Sequence, residues 1–255
     1  MSKRIWLVLS GGWARGFAHI WAYQAIMEAG LEIGVVSWAS MWAVVGMMIA
    51  MGKTPLQIVD IYSHVDMPLI PKNELTAGYV VSKFWDKLWK KIPKQNIEDL
   101  TISFVVSTTC LNDGSNKIFV SGDLEKVVSA SGALPIITKH VVIDGRAYID
   151  WGITDNLPVR YVKENFSDLD IIIWIDVNQY ANTNKTDFDA RQILLRSVAI
   201  LFENGTQKDK WLCDIFICPE ELVRYGMFDF DKIHEMIDIW YQATKKALAE
   251  YVDKD

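Results

Sequence analysis

Arg4-Ile5-Trp6-Leu7-Val8-Leu9-Ser10-Gly11-Gly12-Trp13-Ala14-Arg15-Gly16 is the stretch on which the fold turns. Its first half is a solid apolar run ending at Ser-Gly-Gly, the signature of a strand buried on both faces that runs into a turn. From Ala14 to Ala29 the apolar residues recur at helical spacing, and Gly30 is a natural C-terminal cap. A strand, a glycine turn and a helix in that order open an α/β domain, with free backbone N–H groups gathered where the helix starts.

The same alternation continues outward. Ile33 to Trp38 reads as a second strand and Met41 to Met51 as an apolar helix, after which Thr54-Pro55 supplies a cap and a first-turn proline for another. Residues 64–94 mix Pro68, Pro71 and Pro93 with a basic, aromatic helix over Ser82 to Lys91, and form a candidate cap region. Thr101 to Thr109 and Lys117 to Val120 are strand-like around Asn112-Asp113-Gly114, and Leu124 to Ser131 is a short helix. A hairpin turns at Asp144-Gly145. Asp170 to Val177 is an apolar strand, Arg191 to Phe202 a helix, Leu212 to Cys218 a strand and Asp231 to Tyr251 an amphipathic helix. The expectation is an α/β three-layer sandwich, a mostly parallel central sheet with helices on both faces, in one domain over 1–255.

Composition excludes several classes. A formal charge of −6 and a pI near 5.3 give nucleic acid no basic face to bind. The five apolar residues after Lys3-Arg4 are too few for a signal peptide, and glycines and serines interrupt the uncharged stretch from Ile33 to Gly52. Cys110, Cys213 and Cys218 lack metal-binding spacing and fit a reducing compartment, so a cytoplasmic location is expected. No cofactor or metal is expected, the acidic run Asp187-Phe188-Asp189 lacking calcium-loop spacing. Nor is an obligate protein partner evident. A transient membrane-surface contact is conceivable through Phe84 to Lys91, although one side of a helix over the core explains that stretch equally well.

Three constellations fall where strands end, which is where open α/β sheets place their sites. The first is the 10–16 turn, whose N–H groups suit an oxyanion or a phosphate. A dinucleotide site would want an acidic residue at the end of the second strand, where Val36, Ser37 and Trp38 stand instead. The second is Trp38-Ala39-Ser40-Met41-Trp42, a serine between strand and helix that is either an exposed nucleophile or a helix cap. The third is the run from Val142 through Asp150-Trp151-Gly152, with Asn156-Leu157-Pro158 beyond. Asp150 there is either a base within reach of a serine or a turn-forming residue.

Together the three resemble the patatin-like phospholipase family. The resemblance runs from Lys3 to about Val177 and includes Ala14-Arg15-Gly16, His19, Ala130-Ser131-Gly132-Ala133-Leu134-Pro135 and Asp155-Asn156-Leu157-Pro158. It implies a serine acyl hydrolase acting on carboxylic esters of lipids, phospholipid or another acyl ester, of phospholipase A or lysophospholipase type. Ser40 would be the nucleophile and Asp150 the base of a dyad, with Gly11, Gly12 and Trp13 as the oxyanion hole. Arg15, Gly16, Trp38, Trp42, Trp151 and Gly152 would support the loop and turns. A Ser40–Asp150–His234 triad is the rival enzyme reading, although His234 falls inside the 231–251 helix. His19 would support packing of the oxyanion loop.

The chain departs from that pattern systematically. Trp13, Trp38, Trp42 and Trp151 stand where the family has glycine, and Trp6, Trp21 and Trp174 match glycine positions more loosely. The chain carries 11 Trp, against roughly three or four in a protein of ordinary usage. Overpacking costs about 1–3 kcal/mol per site, against a net stability of about 5–15 kcal/mol. The pattern fits a codon such as UGA, read as glycine by the organism and translated here as tryptophan. A noncatalytic lipid-binding or scaffold protein is the alternative if the tryptophans are native.

Overall fold

The protein is described here by a computed structural model that defines residues 3–10, 16–38, 43–65, 74–135, 138–150, 154, 158–177, 186–207, 210–225 and 232–252. Among the described residues eight strands form one sheet: β1 (Arg4–Leu9), β2 (Glu32–Trp38), β3 (Ser103–Cys110), β4 (Asn116–Phe119), β5 (Val141–Ile143), β6 (Arg146–Asp150), β7 (Ile171–Ile175) and β8 (Ile215–Ile217). Their order is β5-β6-β3-β2-β1-β7-β8, with β4 paired to β3 outside this path. β3, β2, β1, β7 and β8 run parallel, while β4 and β6 pair antiparallel with β3 and β5 antiparallel with β6.

The helices are α1 (Ala18–Glu28), α2 (Ala43–Ala50), α3 (Pro55–Ser63), α4 (Glu74–Trp89), α5 (Leu124–Ser131), α6 (Val159–Asn165), α7 (Ala190–Gln207) and α8 (Ile233–Val252). Strand side chains alternate between two cores, as the period of two demands. On β1, Ile5, Leu7 and Leu9 enter the larger core with α1, α2, α3, α4, α5 and α8, while Trp6 and Val8 enter a smaller one with Val159 and Val162 of α6. β7 divides likewise, Ile171, Ile173 and Ile175 to one side and Ile172 and Trp174 to the other. Two helix-covered faces make the expected three-layer arrangement.

Local signals acted as their chemistry requires. Thr54 accepts from Gln57 N at 3.4 Å while the Gln57 side chain accepts from Thr54 N at 2.9 Å, a complete capping box in front of Pro55. Asp144 and Gly145 both have positive φ, 48° and 76°, which a two-residue hairpin between β5 and β6 needs. Two expectations need correction. Helix α4 starts at Glu74, eight residues before the expected Ser82, so much of 64–94 is regular helix. α6 was not expected at all, because a seven-residue helix that buries only Val159 and Val162 leaves too little periodic signal.

The aromatic stretch of α4 faces the protein. Phe84 and Leu88 are buried, Trp85 and Trp89 stack with centroids 6.0 Å apart, and Trp89 Nε1 donates to Ser129 Oγ at 3.2 Å. No helix among the described residues is long and apolar enough to cross a membrane.

Candidate active site

Ile175, Leu9, Trp38 and Val106 stand side by side across β7, β1, β2 and β3, so four parallel strands reach one level together. Just past that level the buried residues turn from apolar to polar: Ser10, Ser107, Thr108, Thr109, Asp150 and Asp176 are all at most 5% exposed. A polar group is buried at a cost unless its partners are built in, and Ser10, Ser107, Thr108 and Thr109 each have a hydroxyl partner.

Asp150 is the last residue of β6 and is fully buried. Its backbone pairs with Thr108 of β3, and its N–H donates to the Ala133 carbonyl at 3.0 Å. Ala133 lies just past the end of α5, where Gly132 closes the helix by donating to Val128 O at 3.0 Å. The Ala130–Pro135 segment therefore acquires a role that its sequence did not disclose, fixing the backbone that carries the carboxylate. Around it, Thr108 Oγ1 donates to Lys117 O at 3.1 Å, Ser107 Oγ donates to Asn116 Oδ1 at 3.0 Å, and Thr109 and Thr154 share a hydroxyl contact of 2.9 Å. Among the β3 hydroxyls, that of Thr108 shares the sheet face of Asp150, the two residues standing opposite each other in the ladder.

The second anchored point is Ser10. Its N–H donates to Ile175 O at 3.0 Å, its Oγ accepts from Val177 N at 2.8 Å, and its carbonyl accepts from His19 Nε2 at 3.0 Å. His19, on α1, is fully buried, and burial lowers its pKa from 6.5 to about 3, the Ser10 carbonyl opposing the shift more weakly. The ring is therefore neutral and carries its proton on Nε2, because a carbonyl can only accept.

Of the expected site residues, Asp150 is placed as described. Trp38 ends β2, and Gly16 is buried in the turn leading into α1. Ser40, Gly11, Gly12, Trp13, Arg15, Trp42, Trp151 and Gly152 lie outside the described residues. Helix α8, which carries His234, packs on α1 and β8, toward the opposite edge of the sheet from β6, and that placement disfavours a triad with Asp150. His64 is exposed and bonds Asp60 O through Nδ1 at 2.8 Å, a local helix-end contact. Thr108 and Ala133 are what sequence reasoning missed, since their roles depend on pairings 42 and 17 residues away.

Two of the loosely matched tryptophans are accommodated. Trp6 is fully buried, with its Nε1 donating to Ser37 Oγ at 2.8 Å. The β1/β2 register shifts beside it, leaving Gly34 without an opposite residue; a Cβ there would come within 2.9 Å of Leu169 Cδ2. Trp174 is also fully buried and meets Phe216 edge-on at 4.7 Å, but its Nε1 has no hydrogen-bond partner among the described residues.

Residues 7–163 match the family model described as patatin-like phospholipase. An uncharacterized NTE family protein of Mycobacterium tuberculosis is 32% identical over 181 residues, covering 68% of this chain and 49% of that protein. Lysophospholipase NTE1 of Kluyveromyces lactis is 24% identical over 276 residues, covering 94% of this chain and 19% of that one. The chain thus spans half or less of the length of these relatives. Among solved structures, the ExoU–SpcU complex from the type III secretion system of Pseudomonas aeruginosa matches with a TM-score of 0.50 at 12% identity. That match covers 99% of this chain and 53% of the other.

Proposed function

The chain belongs to the patatin-like phospholipase family, and from that membership we propose that it is a serine acyl hydrolase that cleaves carboxylic esters of lipids through Ser40 and Asp150. The observation that carries the reading is the position of Asp150. Val106 is level with Trp38, and Thr108, two residues on, is paired with Asp150; Ser40 is likewise two residues past Trp38 in the chain. That register, which brings Asp150 to the end of the sheet toward which β2 leads, supports the reading.

In the proposed reaction the Ser40 hydroxyl attacks the ester carbonyl, forming the Oγ–C bond as its proton passes to Asp150. N–H groups of Gly11, Gly12 and Trp13 receive the developing oxyanion. Collapse of the tetrahedral intermediate breaks the C–O bond to the leaving alcohol, which takes the proton from Asp150. A water then attacks the acyl carbonyl as Asp150 takes its proton, and collapse breaks the Oγ–C bond, returns that proton to Ser40 and releases the fatty acid. The relative named as a lysophospholipase and the family's name make phospholipid or lysophospholipid the substrate to test first. Residues 1–255 are proposed to form one hydrolase domain that needs no cofactor and works at a lipid surface from the cytoplasm.

A fluorophosphonate probe tests the reading directly. Covalent labelling lost on Ser40→Ala supports it, and labelling that persists in that variant, or is absent from the wild type, removes Ser40 as nucleophile. A second reading rests on one observation, the accommodation of Trp6 and Trp174 in the core as written. If Trp13, Trp38, Trp42 and Trp151 are equally native, the chain is a noncatalytic lipid-binding or scaffold protein that retains the fold. Lipid binding without labelling is the result that would select it.

A further inference from the structure

We propose that the outward side of α4 and of the turn after it, carrying Lys83, Lys87, Lys90 and Lys91, is a docking surface for a membrane with anionic headgroups. The proposal rests on the hydrolase reading for its purpose, bringing the protein to lipid, while docking itself requires no turnover.

Positive charge gathers there against the trend of the chain. Residues 82–94 hold five lysines and one aspartate in a protein whose formal charge is −6. The fold then separates these lysines from the apolar residues between them. Val81, Phe84, Leu88 and Ile92 recur at steps of three and four and are at most 5% exposed, which fixes one side of the helix in the larger core. At about 100° per residue, Lys83, Lys87 and Lys90 fall on the opposite side, and they and Lys91 are exposed. The bond from Trp89 Nε1 to Ser129 Oγ ties α4 to α5 and keeps that side turned outward. Lys90, Lys91 and Lys94 form no ion pair among the described residues. Asp86 is exposed within the same stretch, while Asp99, Asp123 and Glu125 line a recess beside Lys94 and offset its charge.

The shape of the charge selects the partner. A row of lysines along one side of a helix meets a flat anionic surface with all its heads at once, their long stems reaching across the gap. Charges elsewhere on the acidic protein are screened beyond about 8 Å at physiological salt. No arginine lies in residues 82–94, so the row offers point charges suited to a diffuse anionic field rather than forks for individual phosphates.

Co-sedimentation with vesicles of ether-linked phosphatidylcholine, with or without ether-linked phosphatidylglycerol, measures docking on lipids that hold no carboxylic ester to cleave. The wild type should bind the anionic vesicles at low salt, bind the neutral ones far more weakly and be released as salt is raised. At about 5-fold per lysine, Lys90→Gln with Lys91→Gln should weaken binding by about 25-fold, and adding Lys83→Gln and Lys87→Gln should weaken it by several hundredfold. Lys245→Gln with Lys246→Gln removes the same charge from α8, which packs by β8 rather than beside α5, and should change binding by less than about 2-fold. Thermal midpoints should match the wild type throughout, since every replaced side chain is exposed. Equal binding to neutral and anionic vesicles, no binding at low salt, or equal losses in the α4 and α8 pairs would overturn the proposal. So would a single-stranded oligonucleotide that binds the wild type more tightly than the anionic vesicles do and loses that affinity in Lys90→Gln with Lys91→Gln. Turnover of a short-chain nitrophenyl ester should be the same in the wild type and the four-lysine variant. A wild type that turns over no ester would overturn the hydrolase reading alone, because vesicle binding still decides the docking surface.

Discussion

Thr108 and Asp150 stand opposite each other in the β3/β6 ladder, both fully buried, at the place where a parallel sheet acquires its antiparallel flank. The pairing matters because β6 reaches the site from the opposite direction to β1 and β2. Its final residue arrives at the edge where the parallel strands end, and the Ala133 carbonyl holds it there.

Replacing Asp150 with Asn keeps the volume and a hydrogen-bonding head but removes the base. Turnover of a nitrophenyl ester should fall by about 10²- to 10⁴-fold, and Ser40→Ala should abolish it, with the cooperative thermal transition intact in both. Retained activity in either variant would remove that residue from the mechanism.

The two buried tryptophans of the smaller core predict an asymmetry. Trp6→Phe strips the Ser37 hydroxyl of its indole donor inside the core and should cost about 1–3 kcal/mol beyond the lost volume. Trp174→Phe deletes a buried N–H without a partner among the described residues, which offsets the lost volume, so it should be the milder change. Denaturant midpoints of the two variants, measured side by side, decide the order; equal losses would show that both indoles are satisfied.

A chain with glycine at 13, 38, 42 and 151 should be more soluble than the written one, melt cooperatively and hydrolyse esters. Overpacking by an indole where the family has glycine costs about 1–3 kcal/mol per site. The codons provide the independent check: UGG at these positions would establish the tryptophans as native and overturn the recoding.

His19 predicts an acid sensitivity. Its pKa is about 3 in the folded chain and near 6.5 when exposed, so between these values the unfolded chain binds the additional proton. The stability tied to the neutral ring is complete above about pH 6.5 and is lost as pH falls toward 3, on the order of 5 kcal/mol in all. His19→Gln should flatten the dependence of unfolding free energy on pH over that interval. Parallel curves for the two proteins would show that His19 is not held neutral.

The sequence by itself determined the alternation of strands and helices, because each parallel strand is a solid apolar run and each turn carries its own chemistry: Thr54-Pro55 for a helix start, Asp144-Gly145 for a hairpin. It also brought Ser40 and Asp150 forward together with the glycine turn through the resemblance to one family. Local composition cannot encode which strands become neighbours, since pairing is a property of the closed sheet. Only the tertiary structure decided that β6 pairs antiparallel with β3, that Ala133 anchors Asp150 and that His19 reaches back to Ser10. It also set Phe84 and Leu88 of α4 in the larger core and joined Trp89 to Ser129. The reason is the same in each case: a buried polar or aromatic group takes its meaning from the partner across the fold that satisfies it, and that partner lies far away in the chain.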